Sequence, residues 1–172
     1  AERRVLEKIK DRANYVIDTS NLTPKQLKEA ITGIIVNSEE FGGLIINIIS
    51  FGFKYGIPIE CDLVFDVRFI PNPYYIESMK KHTGKHEDVR NYVLGMPETR
   101  EFNEKLNALL DFLIPNYVKE GKSQLVIGIG CTGGRHRSVV IADELMKTLT
   151  EKKHRVVIEH RDIDKDGRSG GR

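Results

Sequence analysis

The stretch Gln124-Leu-Val-Ile-Gly-Ile-Gly-Cys-Thr-Gly-Gly-Arg-His-Arg-Ser138 runs from an apolar segment into a turn rich in glycine and cations. Gln124 to Ile129 reads as a buried strand, the glycines after it as a tight bend, and Val139 to Leu149 as an amphipathic helix. The same alternation extends outward. Leu44 to Ser50 and Leu63 to Phe69 are rich in β-branched and aromatic residues and predict two strands; Arg155 to Ile158 predicts another. Asp88 to Leu94 predicts a short helix and Glu98 to Lys119 a long one, with Phe102, Leu106, Leu109, Leu110 and Leu113 inward and a kink at Pro115. Nearer the start, Glu2 to Ala13 predicts a helix and Tyr15 to Thr19 a strand. Thr23-Pro24-Lys25-Gln26 is a capping box whose apolar face continues through Leu27, Ile31 and Ile34. Strands separated by helices predict an α/β fold: a mainly parallel sheet flanked by helices in three layers, with a phosphate-binding loop between a strand and a helix. Ligands of such sheets sit beyond the carboxyl ends of the strands.

Composition narrows the function. The 172 residues carry 27 Lys and Arg against 25 Asp and Glu, a net charge of +2, which excludes a bulk polycation that coats nucleic acid. A hydrophobic share of 40% supports a packed core and excludes global disorder. Two cysteines make no disulfide framework and fit a reducing cytosol, so a cytoplasmic protein is expected. The longest apolar run, Gly43 to Ser50, is strand-sized and interrupted by Asn47, well short of the roughly 20 residues of a membrane span. The chain starts without Met and finishes in Gly167-Arg-Ser-Gly-Gly-Arg172, which reads as a piece of a longer protein with a disordered or vector-derived tail.

The loop after Ile129 matches several motifs. Gly128, Gly130 and Gly133 satisfy the dinucleotide pattern G-x-G-x-x-G, with Glu159 as the acid at the end of the next strand, although the glycines begin inside the strand. The Walker A pattern fails, because Gly134-Arg135 stands where Lys-Ser/Thr must hold the terminal phosphates and Mg²⁺. Cys131-x5-Arg137-Ser138 has the spacing of the phosphate loop of cysteine-dependent phosphatases, with Gly130 where those enzymes carry His. Its physics suits an oxyanion: glycines turn successive N–H groups into one concavity, a helix N-terminus adds positive potential, and Arg137 can fork two bonds to phosphate. The bland alternative is a tight turn around an inert buried Cys131. Thr132, Gly133, Gly134, Arg135, His136 and Ser138 packed around it favour a phosphate site.

A second cluster lies at Asp66-Val-Arg68, where strand alternation puts an acid and a base on one side, as ligand groups or as a structural ion pair. Asn72, Pro73, Tyr74 and Tyr75 follow in a constrained turn suited to stacking on a sugar or base. Lys54, in a Gly-flanked loop, is a further cation within reach of an anion. Cys61 reads as a buried thiol. His82 and His86 lack a metal-ligand set, and no metal is assigned.

Three segments in order, Ser50-Phe-Gly-Phe-Lys-Tyr-Gly-Ile-Pro58, Phe65-Asp-Val-Arg-Phe-Ile-Pro-Asn-Pro73 and Gly130-Cys-Thr-Gly-Gly-Arg-His-Arg-Ser138, resemble the C-terminal half of the RapZ/YvcJ family, over about residues 1 to 162. The resemblance implies that a P-loop domain binding ATP or GTP precedes this half, with Tyr15 to Thr23 as part of its end. The expected organisation is a remnant of that domain over 1–36, a ligand-binding α/β domain over 37–163, and a tail over 164–172, with no cofactor in the fragment itself. It further implies a regulator of amino-sugar metabolism. Its ligand is glucosamine-6-phosphate or a UDP-activated amino sugar such as UDP-N-acetylglucosamine, its partner a small RNA or a regulatory protein, and its parent a homo-oligomer. The family's pocket motifs fall on Asp66, Arg68, Cys131, Thr132, Gly133, His136 and Arg137; His stands in the family where this chain has Tyr74. The alternative from the loop itself is a cysteine phosphatase with Cys131 as nucleophile, Arg137 as oxyanion clamp and Asp66 as general acid.

Overall fold

The computed structural model describes residues 44–165 together with Thr19, Thr23, Pro24 and Leu27. The chain divides into two compact units, 1–43 and 44–172. In the first, Pro24 and Leu27 are helical, and the Leu27 N–H donates to the Thr23 carbonyl at 2.8 Å. The helix expected over 2–13, the strand over 15–19 apart from Thr19, the Ile31 and Ile34 face and the tail beyond residue 165 lie outside the described residues.

The second unit holds four described strands, β1 (Ile45–Gly52), β2 (Leu63–Asp66), β3 (Gln124–Cys131) and β4 (Arg155–His160), and three helices, α1 (Glu87–Gly95), α2 (Pro97–Glu120) and α3 (Arg137–Glu151). The strands form one parallel sheet in the order β2-β3-β1-β4. Register places Gly52 beside Cys131 and Asp66 beside Gly130, so three strands end together at one rim.

Alternation sorts the strand residues by face. Ile46, Ile48, Leu125, Ile127 and Ile129 point to the helices and are fully buried with Val89, Val93, Leu110, Ile141 and Leu149. Each such side chain contributes about 1.5–3 kcal/mol of transfer free energy. The described helices all pack on this face, so the described residues form two of the three layers the sequence predicted. On the opposite face the segment after β1 folds back. Phe51 and Phe53 lie edge to face at 4.9 Å and cover Gly130 so closely that a Cβ there would meet the Phe53 ring at 2.5 Å.

Three local expectations change. β2 ends at Asp66 rather than Phe69, because the Asp66 carboxylate accepts the Arg68 N–H at 2.9 Å and turns the chain out of the sheet. α2 runs unbroken through Pro115, whose ring is exposed; only one amide bond is lost, at a solvated turn. Leu109 points outward at 42% exposure, because the buried stripe of α2 follows Leu106, Leu110 and Ile114, one residue round from it.

Candidate functional site

A cavity of about 290 Å³ opens at the carboxyl rim of β1 and β3. The loop supplies one wall through Cys131, Thr132, Gly133, Arg135, His136 and Arg137; Lys54, Asn72, Tyr74 and Tyr75 supply the other. The loop is built for close approach. Gly134 has φ +74°, where L side chains are strained, and a Cβ on it would meet the Gly52 nitrogen at 2.7 Å. α3 starts at Arg137, a residue of the cavity wall, and no side chain caps this helix N-terminus.

Arg137 is 4% exposed and divided between two tasks. Nη1 donates to the carbonyls of Arg68 at 2.9 Å and Ile70 at 2.8 Å, while Nη2 donates to Thr132 Oγ1 at 3.1 Å. Nε is buried without a partner. The Nε–Nη2 edge, which forks onto carboxylates and phosphates, therefore keeps two hydrogens for a ligand. His136, 6% exposed, also leaves Nε2 without a partner. Burial pushes its imidazole below the usual value; the His82 carbonyl opposes this, Arg135 adds to it, the Met79 carbonyl opposes and Arg137 adds. Cys131 Sγ accepts the Gly134 N–H at 3.3 Å and stands 3.1 Å from Ser138 Oγ.

The RapZ C-terminal domain family matches residues 44–164. The chain belongs to that family. A nucleotide-binding protein of Acetivibrio thermocellus is 70% identical over 171 residues, which cover 99% of this chain and 59% of the relative. One from Ruminiclostridium cellulolyticum is 65% identical over 171 residues with the same coverage, and one from Clostridium novyi 57% over 172, covering 99% and 58%. The chain thus spans about three fifths of the length of the curated relatives it matches.

Within this RapZ-type domain the sequence-predicted residues fall into two sets. Lys54, Asn72, Tyr74, Cys131, Thr132, Gly133, His136 and Arg137 line the cavity. Gly134 and Ser138 stand behind the loop wall, and Asp66 and Arg68 beside it. Asp66 and Arg68 do not face out of one strand, since Arg68 lies past its end. They close on each other: Arg68 Nη2 meets Asp66 Oδ2 at 2.6 Å and Nε meets Oδ1 at 3.0 Å, while the guanidinium rests 4.2 Å over Phe53. The bond from Arg68 holds the Asp66 carboxyl below the usual carboxylate range, against a smaller push from burial.

Tyr75 and Arg135 join the lining beside residues already named, so adjacency in the chain was the signal for both. Asp162 was hidden in a segment that reads as mixed charge. It is fully buried, accepts the Gly52 N–H at 2.8 Å and pairs with Arg161 at 2.7 Å and Lys165 at 2.6 Å, bracing the strand end on which the loop rests. The G-x-G-x-x-G match loses its meaning, because Gly128 and Gly130 are strand positions packed under Cys61, Phe51 and Phe53 rather than parts of a phosphate loop. Among the described residues no group of His, Cys, Asp and Glu is placed to hold a metal ion, and no helix is long and apolar enough to cross a membrane.

Proposed function

We propose that this RapZ-type domain is a regulatory sensor whose cavity binds a phosphorylated amino sugar, glucosamine-6-phosphate or a nucleotide-activated relative. One observation carries the reading: Arg137, a residue of the cavity wall beside a helix N-terminus that no side chain caps, has its buried Nε without a protein partner. The phosphoryl group sits on the loop, and the sugar ring lies against Tyr74, with Asn72 and Lys54 at its edge. A volume of about 290 Å³ is at the bottom of the roughly 300–1,000 Å³ range of ligand cavities, which favours a sugar phosphate over a whole nucleotide sugar. Nucleotide binding, which gives the relatives their names, is proposed for the parent protein through ATP or GTP in a P-loop domain, not for this loop, which lacks the Walker Lys-Ser/Thr.

The phosphatase reading asks Asp66 to give up a proton. Arg68 keeps that carboxyl ionised at neutral pH, so the reading has a nucleophile and a clamp without an acid. Calorimetry with glucosamine-6-phosphate, UDP-N-acetylglucosamine and inorganic phosphate tests the sensor. Heat with the first, and less with phosphate alone, is expected; silence with all three ends the proposal.

A further inference from the structure

Cys131 is one of the residues that line the cavity, and it is 3% exposed. Cys131 ends β3 with its side chain on the helix-covered face, and its Sγ receives the Gly134 N–H while Ser138 Oγ stands beside it. Two groups in the same wall, both more than nine-tenths buried, have polar atoms with no protein partner: Arg137 at Nε and His136 at Nε2. Both residues line the same cavity as Cys131.

The chain's other thiol, Cys61, is partly exposed rather than buried as the sequence predicted, and its neighbours differ. Cys61 packs over Gly128. Burial first, then the Glu60 and Asp62 carboxylates, push its thiol up to about 11, with Arg161 pulling the other way. Its nucleophilic thiolate is therefore scarce at neutral pH. Gly128 and Cys131 are three residues apart on one strand, so their substituents face opposite sides of the sheet, and the two sulfurs cannot meet in a disulfide.

We propose that Cys131 is a modification site: a small peroxide entering the cavity oxidises its thiol to a sulfenic acid, and the oxidised sulfur and a bound phosphate exclude one another. In the step, the sulfur lone pair of the thiolate attacks one peroxide oxygen. An S–O bond forms, the O–O bond breaks, sulfur gives up two electrons and the second oxygen leaves as hydroxide. An external thiol reverses it, first forming a mixed disulfide with loss of water and then exchanging with a second thiol. The added oxygen takes up part of the cavity that Arg137 and His136 also line. The exclusion rests on the phosphate-cradle reading above; the reactivity of Cys131 does not.

The test treats the folded chain with hydrogen peroxide and dimedone, which traps sulfenic acids, and reads the adduct at each cysteine by peptide mass spectrometry. Labelling of Cys131 at least about tenfold above Cys61 is expected, together with protection of Cys131 by saturating inorganic phosphate. Equal labelling of both thiols, or labelling of Cys131 only after unfolding in urea, overturns the proposal. Calorimetry of phosphate with untreated chain reads the cradle separately. Heat there without protection in the oxidation arm overturns the exclusion alone, whereas selective labelling with no heat faults the cradle and leaves the thiol chemistry standing.

Discussion

Arg137 donates from Nη1 to the main-chain carbonyl of Arg68 at 2.9 Å, so the side chain that faces the cavity also fastens the turn after β2. One planar group serves the fold through Nη1 and faces the ligand through Nε and Nη2. Binding and the position of residues 68–76 are thereby linked through a single rigid group.

Arg137→Lys keeps the charge but has neither edge. Loss of the bonds to the buried carbonyls costs about 2 kcal/mol or more of stability, and loss of the fork about 1.5–3 kcal/mol of anion binding, a factor of roughly 10 to 150. Urea denaturation and calorimetry read the two separately. Thr132→Val, which removes only the bond to Nη2, is expected to weaken binding less. A lysine variant that matches the parent in both measurements contradicts this division of labour.

Gly134→Ala places a Cβ where φ is +74° and where the Gly52 nitrogen would be 2.7 Å away. The backbone conformation alone costs about 1–2 kcal/mol. Nearby Asp162 and the Gly52 backbone cannot move aside without breaking the 2.8 Å bond between them. Destabilisation by about 2 kcal/mol or more is expected in urea, with phosphate binding reduced further than in a distant variant of equal stability. Full stability would mean that the loop relaxes freely.

The strand, loop and helix around 124–149 were legible because their residues obey local rules: an apolar run, a cluster of glycines, then helical spacing. The cavity-lining part of the site was legible for the same reason, since the 131–137 loop carries most of it. What local pattern could not show is who partners whom. Alternation offered Asp66 and Arg68 as ligand groups or as an ion pair; the structure pairs them, and the Asp66 carboxylate also ends its own strand by accepting the Arg68 N–H, which alternation did not show. Asp162 looked like one acid among several, and only tertiary contact with Gly52, more than 100 residues away in the chain, shows its bracing role. That the described helices share one face depends on which face each connection crosses, a property of the assembled sheet.

His136 sets a pH dependence with a definite sign. Its folded-state pKa is depressed by burial, so the folded chain keeps the ring neutral where the unfolded chain takes a proton. As pH falls below about 6.5, the unfolded state binds more protons and stability declines. His154 is depressed in the same direction, by burial first and then Lys152, opposed by Asp111. Urea midpoints at pH 7.5 and pH 5.5 should therefore differ for the parent, and His136→Gln should retain only the smaller part of the difference. An unchanged difference in the variant assigns the slope elsewhere.

RNA binding is the property for which charge makes the sharpest prediction. Residues 152–172 hold seven Lys and Arg against four Asp and Glu, a net of +3. The structure already commits much of that positive charge: Lys152 meets Asp111 at 2.5 Å, and Arg161 and Lys165 both meet Asp162. A cation held by a buried carboxylate must break that pair before it neutralises a phosphate, so the segment offers fewer contacts than its composition implies. Two contacts correspond to a slope of about −1.4 in log affinity against log salt for a single strand. Micromolar or weaker, salt-sensitive binding of a small RNA is expected, measured by fluorescence anisotropy across a salt series. Removing residues 166–172, with Arg168 and Arg172, should lower the slope further. Tight binding at physiological salt that survives this truncation would place the RNA surface elsewhere on the domain, with Lys80, Lys81 and Arg135 beside the cavity as the first residues to substitute.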